Sequence, residues 1–480
     1  MPGYAQLAGL DITALTADSR QVRPGTLFAA LPGARTDGRA HIADAVARGA
    51  AAVLAPEGTT WPADVPARPL LTAPDARRAL ALMAAAFHGA QPATVVAVTG
   101  TNGKTSTADF LRQIWGGSGA RAASLGTLGL IAEGFDPGPS LTTPDPVSLH
   151  ATLAAIARAG VTHAAMEASS HGLEQRRLDG VSLAAAGFSN LTRDHLDYHG
   201  DMASYRAAKL RLLDSVLPPG RPVAANADMD AETLAAVRAV AAARNLRLLT
   251  VGEAGDDLRL LRHTPRPDGQ EMEIAAFGTH RTIHLPLVGR YQADNVLLAA
   301  ALATATGLDA ARALDTLSAL TGVRGRMELA ARLPNGAAVY VDYAHTPDAL
   351  ERLLLALRPH AARLHVVFGA GGDRDPGKRP LMGAACARLA DRVTVTDDNP
   401  RTEDPATIRA AILAGMGAAC PGATEIGDRE KAIASAMAAL GPGDVLAVAG
   451  KGHESGQTVG TETHAFDDAD VVRRLAGIRA

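Results

Sequence analysis

A short glycine-containing segment in the first quarter of the chain has residues suited to gripping polyphosphate. The apolar run 94–98 leads into Gly100, Thr101, Asn102, Gly103, Lys104, Thr105 and Ser106, and a helix is predicted to begin near Thr107. Loop amides and a helix N-terminus attract anions. Lys104 would bridge the outer phosphates of ATP, and the Thr105 hydroxyl would bind Mg²⁺. The pattern favours nucleotide binding over an ordinary glycine turn.

The spacing of this loop differs from that of the common phosphate-binding loop. The pattern GxxxxGK would require glycine at position 98, where the chain has Val98. We therefore interpret the segment as a shorter variant.

Two further polar side chains follow apolar runs. Glu167 ends the run that begins at His163, and His195 comes after the run 184–188. In a parallel sheet both side chains would lie at the carboxyl edge, where ligands bind. A helix-capping acid and a core histidine are the structural alternatives, but beside a phosphate loop we expect both residues to bind magnesium.

The elements that position these residues have an alternating strand and helix pattern. We predict an α/β protein of three domains: a small N-terminal α/β domain (1–90), a central doubly wound phosphate-loop domain (91–324) and a C-terminal Rossmann-like α/β domain (325–480). Breakers at 89–92 and 321–325 mark the boundaries. The length of 480 residues agrees with roughly three units.

Composition narrows the protein class. The 47 basic and 50 acidic residues nearly balance, so no overall charge draws the protein to nucleic acid. Its two cysteines, Cys386 and Cys420, lack disulfide or zinc spacing, which favours a reducing cytoplasm. No signal peptide or membrane-length apolar run is evident, so we expect no membrane insertion. Separately, we expect the protein to be a monomer.

Several motifs together resemble the Mur ligases of peptidoglycan synthesis. They are the short phosphate loop, Met166-Glu167-Ala168-Ser169-Ser170-His171, Asn190-Leu191-Thr192-Arg193-Asp194-His195-Leu196-Asp197 and Gly289-Arg290-Tyr291-Gln292-Ala293-Asp294-Asn295. The similarity runs through all three predicted domains and implies ATP-dependent activation of a carboxylate, followed by amide formation.

The resemblance assigns roles that the residues alone do not reveal. Lys209 matches a family lysine that is carbamylated and supports a second magnesium ion, joining Lys104, Glu167 and His195 as a catalytic residue. Asn295 matches a position near the adenine base, and Arg326 a position near the phosphates. Asp342 and His345 match further positions near the nucleotide.

Two sets of residues resemble those that bind the uridine nucleotide and muramoyl-dipeptide acceptor. The N-terminal set is Ala17, Ser19, Ala34, Arg35 and Thr36, and the central set is Leu141, Thr142, Thr143, Ser169, Gln175 and Arg177. Ala34 and Arg35 replace histidine and glutamine of some relatives, and Leu141 replaces a polar residue. Solvent loops and turn or cap chemistry are the structural alternatives.

The third domain carries the residues that resemble an amino-acid site. They are Arg374, Asp398, Asn399, Pro400, Arg401, Gly450 and Glu454. The Asp-Asn-Pro-Arg motif is similar to that of ligases that add meso-diaminopimelate, whose distal carboxylate a guanidinium can bind. Glu454 could pair with the distal ammonium.

The resemblance therefore implies that UDP-MurNAc-L-Ala-D-Glu, ATP and meso-diaminopimelate are the substrates, with Mg²⁺ as cofactor. A lysine-adding homologue and a folylpolyglutamate synthetase-like ligase are alternatives within the enzyme class. A non-enzymatic nucleotide switch is the alternative from another class. Arg401 argues against the lysine-adding enzyme, and the N-terminal domain argues against the folate enzyme.

Overall fold

The structure is a computed structural model that describes residues 9–33, 36–136, 138, 141–417 and 423–478. The chain forms two compact units. The first comprises Met1–Val251 and Leu298–Ala313, and the second comprises Gly252–Leu297 and Leu314–Ala480. The boundaries at residues 90 and 324 stay a prediction. Ala34, Arg35 and Cys420 lie outside the described residues.

The first unit begins with a four-stranded parallel sheet in the order β1-β2-β3-β4. Its strands and helices, with two short 3₁₀ helices at Ser19–Gln21 and Gly38–His41, are β1 (Ala14–Thr16), β2 (Thr26–Ala29), α1 (Ile42–Ala47), β3 (Ala50–Pro56), β4 (Leu70–Ala73) and α2 (Ala76–His88). Asp75 caps α2 by accepting a hydrogen bond from the Arg78 amide, which explains why the helix begins there.

The first unit also contains a sheet in the order β11-β10-β9-β5-β8-β6-β7, parallel except for β7. The elements are β5 (Thr94–Thr99), α3 (Lys104–Gly117), β6 (Ala122–Gly126), β7 (Gly129–Ile131), α4 (Pro146–Arg158), β8 (His163–Glu167), α5 (Ser170–Glu174), β9 (Leu183–Phe188), α6 (Leu196–His199), α7 (Met202–Arg211), a π-helix (Leu212–Val216), β10 (Pro222–Asn226), α8 (Ala231–Ala243) and β11 (Arg247–Gly252).

Strand β5 is covered on both faces. Val95 and Ala97 pack in one core cluster with Leu153 of α4, and Val96 and Val98 are also fully buried. A central parallel strand is expected to be apolar throughout for this reason. The phosphate loop thus leaves the sheet from a rigid, buried strand.

The second unit contains three antiparallel strands and a mixed sheet in the order β15-β16-β20-β17-β18-β19, parallel except for β15. Helix α9 continues from this unit into the first. The elements are β12 (Leu258–Arg266), β13 (Gly269–Ala276), β14 (Thr279–Leu285), α9 (Arg290–Ala305), α10 (Ala310–Asp315), β15 (Glu328–Arg332), β16 (Ala338–Asp342), α11 (Pro347–Leu357), β17 (Leu364–Phe368), α12 (Lys378–Leu389), β18 (Arg392–Val395), α13 (Pro405–Met416), β19 (Ala423–Glu425), α14 (Arg429–Ala438), β20 (Val445–Ala449), β21 (Gly456–Val459), β22 (Glu462–Ala465) and α15 (Asp468–Leu475).

The expected α/β class is confirmed, whereas the antiparallel strands β12 to β14 were not predicted from the sequence. A signal for them exists in β13, where buried Met272 and Ile274 alternate with the more exposed Glu271 and Glu273. Among the described residues, no helix has the length and apolar character needed to cross a bilayer.

A buried ion pair joins two helices of the second unit. Both side chains of the Arg429–Asp468 pair are fully buried, and the closest nitrogen and oxygen atoms are 2.7 Å apart. Arg429 also donates to the Ala449 carbonyl at the end of β20, at 2.9 Å. Because a buried cation needs such partners, the ion pair and this hydrogen bond tie α14 and α15 to the carboxyl end of the interior strand β20.

The change Asp468→Asn should destabilise this unit by about 3–5 kcal/mol, because it leaves the Arg429 guanidinium buried without its counter-charge. Hydrogen exchange of the β20 amides measures the loss as a lower free energy of opening. The control is Lys431→Ala, since the Lys431 side chain is 78% exposed and its pair with Asp428 should contribute less than about 1 kcal/mol. Equal protection in wild type and Asp468→Asn would contradict the expectation.

Candidate active site

The phosphate loop requires glycine for a steric reason. Gly100 has φ of 142°, and a Cβ there would lie 1.9 Å from the Ser189 hydroxyl oxygen. Gly103 adopts the left-handed conformation and directly precedes α3. The helix begins at Lys104, three residues before the predicted start near Thr107, so the loop is even tighter than expected.

The segment after β9 holds the loop in place. The Asn190 amide oxygen accepts from the Asn102 backbone amide at 2.9 Å, and the Ser189 hydroxyl donates to the Asn102 carbonyl at 2.6 Å. The Tyr205 hydroxyl lies 3.2 Å from the Thr101 hydroxyl. Ser189 and Tyr205 were not among the predicted site residues, because only the fold brings them to the loop.

Two predicted catalytic lysines meet at the loop. The Lys104 ammonium donates to the carbonyls of Gly100 and Thr101 at 2.9 and 2.8 Å, and the Lys209 ammonium donates to the same Gly100 carbonyl at 2.7 Å. Lys209 is 1% exposed, and its nitrogen lies 4.5 Å from the centre of the Tyr205 ring. The structure therefore brings Lys209, predicted by resemblance alone, to the phosphate loop.

Burial lowers the pKa of Lys209 well below its ordinary 10.5, and the nearby charge of Lys104 lowers it further. The unfolded chain keeps this proton up to about pH 10.5, whereas the folded chain releases it at a lower pH. As the pH falls from about 10.5 towards the lower pKa of the folded chain, protonation of the unfolded chain progressively lowers the free energy of unfolding. Relative to the unfolded chain, folding therefore shifts Lys209 towards the neutral amine, which is the nucleophilic form.

Glu167 ends β8 and is held as an acceptor at the loop. Its carboxylate accepts from the Thr105 hydroxyl at 3.0 Å and from the Thr127 backbone amide at 2.7 Å. A Cβ on Gly126 would lie 2.1 Å from the same carboxylate oxygen, so residue 126 must be glycine. Thr127 is a contact that the sequence analysis missed.

The oxygen atoms of Glu167 and Thr105 suit magnesium. In the described part of the chain, no group of three or more His, Cys, Asp or Glu side chains is positioned to hold a metal ion. An ion at Glu167 and Thr105 would therefore complete its shell with phosphate and water oxygens, which is common for Mg²⁺.

His195 has a left-handed backbone, with φ of 53°, and its side chain is 48% exposed. Its ring nitrogen lies 3.5 Å from the Asp194 carboxylate, and its ring centre lies 5.0 Å from that of His171. Its ring centre is also 6.1 Å from that of Tyr205, the ring over which the Lys209 nitrogen lies. A metal-binding role for His195 stays a prediction.

Most of the central acceptor set lies together beside Glu167. The Thr143 hydroxyl donates to the Glu167 carbonyl at 2.9 Å, and the Ser169 hydroxyl donates to that of Thr143 at 3.1 Å. Arg177 donates to the Thr143 carbonyl at 2.6 Å and to the Gln175 side chain at 2.8 Å. The Thr142 hydroxyl lies 3.0 Å from that of Thr127, whereas Leu141 is 60% exposed.

The N-terminal acceptor set lies at one sheet edge. Ala17 and Ser19 follow β1, and Thr36 follows the neighbouring parallel strand β2, so both segments leave the same edge. Ser19 is buried, while Ala17 and Thr36 are exposed. The intervening Ala34 and Arg35 are outside the described residues.

The predicted nucleotide residues of the second unit form one network. The Asn295 amide donates to the side-chain oxygen of Gln292 at 3.1 Å. The Gln292 amide in turn donates to the Arg326 carbonyl at 3.4 Å. The Arg326 guanidinium lies 4.3 Å from the centre of the Tyr343 ring. His345 lies 2.8 Å from the Tyr343 carbonyl.

Asp342 fixes the turn beside this network. Its carboxylate accepts from the backbone amides of Met327 and Ala344 at 2.6 and 2.8 Å. Burial raises the pKa of Asp342, although the charge of Arg326 and the two amides oppose the shift. The carboxylate thus acts as a backbone anchor next to the arginine.

The predicted amino-acid residues also lie close together. The Asn399 amide donates to the Glu454 carboxylate at 2.9 Å, and a Cβ on Gly450 would lie 2.6 Å from the Asp398 carboxylate. Arg401 has a left-handed backbone, with φ of 52°, and donates to the Gly372 carbonyl at 2.8 Å. The site combines a guanidinium with acid and amide groups.

Around this site, Gly371 separates two arginines. A Cβ there would lie 2.9 Å from an Arg401 nitrogen and 3.8 Å from the Arg374 side chain. Pro400 packs against Gly372 so closely that a Cβ at 372 would lie 1.9 Å from the Pro400 carbonyl oxygen. The two segments are therefore locked together, with the Arg401 guanidinium and the aliphatic part of the Arg374 side chain beside Gly371.

Three family profiles match consecutive parts of the chain. The Mur ligase family catalytic domain matches residues 11–88, the Mur ligase middle domain residues 98–303, and the Mur ligase glutamate ligase domain residues 325–452. The chain belongs to the Mur ligase family. It is therefore an ATP-dependent ligase with the three-domain fold of that family.

Curated relatives of this Mur ligase match over nearly their whole length. UDP-N-acetylmuramoyl-L-alanyl-D-glutamate–2,6-diaminopimelate ligase from Caulobacter vibrioides is 55% identical, covering 98% of this chain and 96% of the relative. The protein of that name from Mesorhizobium japonicum is 54% identical, with the same coverages.

Solved structures agree with the fold of this Mur ligase. A structure of a UDP-N-acetylmuramoyl-L-alanyl-D-glutamate–2,6-diaminopimelate ligase is 34% identical with a TM-score of 0.70, covering 97% of this chain and 94% of the other. A Mycobacterium tuberculosis folylpolyglutamate synthase complexed with ADP is 21% identical with a TM-score of 0.65, covering 78% and 91% of the two chains. At that identity the second similarity concerns the fold alone.

The change Gly126→Ala in this Mur ligase should lower kcat by about 100-fold, because the added methyl displaces the Glu167 carboxylate from Thr105. Steady-state ADP release measures the effect. Gly116→Ala is the control, since a Cβ at that helical glycine meets nothing within 4 Å. Wild-type turnover by Gly126→Ala would show that the close approach is unimportant.

Proposed function

We propose that the protein uses ATP to join meso-diaminopimelate to UDP-MurNAc-L-Ala-D-Glu, forming the UDP-MurNAc-tripeptide of peptidoglycan synthesis. The observation that carries this proposal is the grouping of Arg401 with Asn399 and Glu454. One end of diaminopimelate bears both a carboxylate and an ammonium, and these groups are complementary to a guanidinium and an acid–amide pair. The names of the full-length relatives support the same substrate pair.

The reaction begins when an oxygen of the D-glutamyl side-chain carboxylate attacks the γ-phosphorus of ATP and ADP departs. The product is an acyl phosphate. Lys104 and the loop amides position the phosphates and offset the charge that spreads over the transferred group. Bound at Glu167 and Thr105, Mg²⁺ would supply further charge neutralisation.

The amine of diaminopimelate then attacks the acyl carbon. The carbon–nitrogen bond forms, the bond to the phosphate oxygen breaks, and the nitrogen loses a proton. Glu454, whose carboxylate accepts from the Asn399 amide, would hold the ammonium at the distal end, and Arg401, with Arg374, would hold the carboxylate. Asp398, Pro400 and Gly450 shape this binding region.

The acceptor would lie on the first unit. Ala17, Ser19, Ala34, Arg35 and Thr36 are proposed to contact the uridine nucleotide, and Leu141, Thr142, Thr143, Ser169, Gln175 and Arg177 the muramoyl-dipeptide. The contacts from Arg177 and Ser169 to Thr143, next to Glu167, support placing the acceptor carboxylate near the phosphate loop. We propose that the enzyme works as a monomer in the cytoplasm.

ADP release tests the whole proposal. Steady-state ADP release should require both the dipeptide acceptor and an amine, and in competition diaminopimelate should be used in preference to lysine. A preference for lysine would favour the lysine-adding alternative, and use of a folate acceptor would favour the folylpolyglutamate synthetase alternative. Nucleotide binding without amine-dependent turnover would indicate a switch.

Arg401→Ala should reduce the preference for diaminopimelate over lysine by about 10-fold or more, since a charge-assisted hydrogen bond to the distal carboxylate is lost. The ratio of kcat/KM for the two amines is the measurement. Arg388→Ala, which removes an arginine that is 60% exposed and paired with Glu351, should leave the ratio unchanged. An unchanged ratio in Arg401→Ala would refute the assignment of Arg401.

We further propose that Lys209 is carbamylated, because burial lowers the pKa of its amine and the neutral amine is the form that reacts with carbon dioxide. Lys209→Ala and Lys209→Arg should both lose most activity, and added short carboxylates should restore only the alanine variant, which has space for them. Incubation with ¹³C-bicarbonate should give a carbamate carbon signal in the wild-type NMR spectrum. Full activity of Lys209→Ala without additives would rule out this role.

A further inference from the structure

Lys451 is a fully buried lysine to which neither the motif comparison nor the reaction above assigns a role. Its side chain is 0% exposed, and it lies between Gly450 and Glu454 in the second unit. A lysine is almost never buried completely unless its ammonium is hydrogen-bonded. The partners of Lys451 therefore indicate its function.

The ammonium of Lys451 contacts two residues of the proposed amine site. It donates to the Asn399 amide oxygen at 3.0 Å and lies 3.4 Å from the Glu454 carboxylate oxygen Oε2. The backbone amide of Thr458 donates to the same Asn399 oxygen at 2.9 Å. With two donors on its oxygen, the Asn399 amide can be oriented in only one way.

That orientation directs the nitrogen of Asn399 to Glu454. The nitrogen donates to Oε2 of Glu454 at 2.9 Å, so Lys451 and Asn399 both contact the same carboxylate oxygen. Glu454 is thereby held through Oε2, while its side chain stays 34% exposed. A carboxylate held in this way is ready to accept from an incoming ammonium.

The same contacts stabilise the backbone around Arg401. Thr458, which shares the Asn399 oxygen with Lys451, accepts from the Arg401 backbone amide at 3.1 Å, and the Gly460 amide donates to the Arg401 carbonyl at 2.7 Å. Arg401 needs such support because its left-handed backbone is unfavourable for a side-chain-bearing residue.

Lys451 also offsets negative charge at this site. Glu454 and Asp398 both act on the charge of Arg429, which is paired with Asp468. Without Lys451, these carboxylates would repel one another more strongly.

We infer that Lys451 is a positioning residue for the amine substrate: it orients Asn399 and Glu454 without touching the substrate. This inference rests on the proposed function. The two half-reactions should therefore respond differently to loss of Lys451: use of the amine should be impaired, and formation of the acyl phosphate should be unchanged.

Lys451→Met tests the inference, since methionine has a similar length and no charge. We expect KM for diaminopimelate to rise about 10-fold or more, with KM for ATP and for the dipeptide acceptor within about twofold of wild type. The single-turnover burst of ADP formed from ATP and acceptor, without amine, should be unchanged. Lys431→Met, at an exposed lysine of the same unit, is the control for loss of a positive charge.

A second variant, Lys451→Gln, covers the case in which the methionine variant does not fold. Glutamine can still donate to Asn399, so a smaller rise in KM for diaminopimelate is expected. An unchanged KM for diaminopimelate in either folded variant, or loss of both half-reactions in both variants, would overturn the inference. Failure of the wild type to release ADP in response to diaminopimelate would instead refute the proposed function.

Discussion

The close approach of the phosphate loop to the segment after β9 is the constraint on which the first unit depends. Gly100 fits against Ser189 only because it lacks a Cβ, and the neighbouring Asn190 holds the backbone amide of Asn102. This geometry directs the Gly100 carbonyl towards both Lys104 and Lys209. The rigidity of the buried strand β5 makes the arrangement reproducible, which phosphoryl transfer requires.

Glu167 shows how the same unit connects nucleotide and acceptor residues. Its side chain accepts from Thr105 of the loop, while its backbone carbonyl accepts from Thr143. Gly126 makes room for the carboxylate, and Thr127 donates to it. One residue at the end of a strand is therefore fixed by the phosphate loop on one side and by the proposed acceptor segment on the other.

The second unit uses buried charge for two different purposes. The Arg429–Asp468 pair ties two helices to the sheet, whereas Lys451 holds the polar groups of Asn399 and Glu454. Burying either cation carries a large desolvation penalty, which only well-placed hydrogen bonds offset. For Lys451, the hydrogen bonds that offset this penalty also orient Asn399 and Glu454 before the substrate arrives.

The sequence by itself determined the α/β class, the strands that lead to the phosphate loop, and membership of the Mur ligase family. These follow from local apolar runs and from motifs whose residues are neighbours in the chain. Only the tertiary structure placed Lys209 at Gly100 and revealed the contacts of Ser189, Thr127 and Lys451. Most of these contacts join residues far apart in sequence, and whether a lysine is exposed or fully buried depends on packing, which residue type and local spacing do not specify.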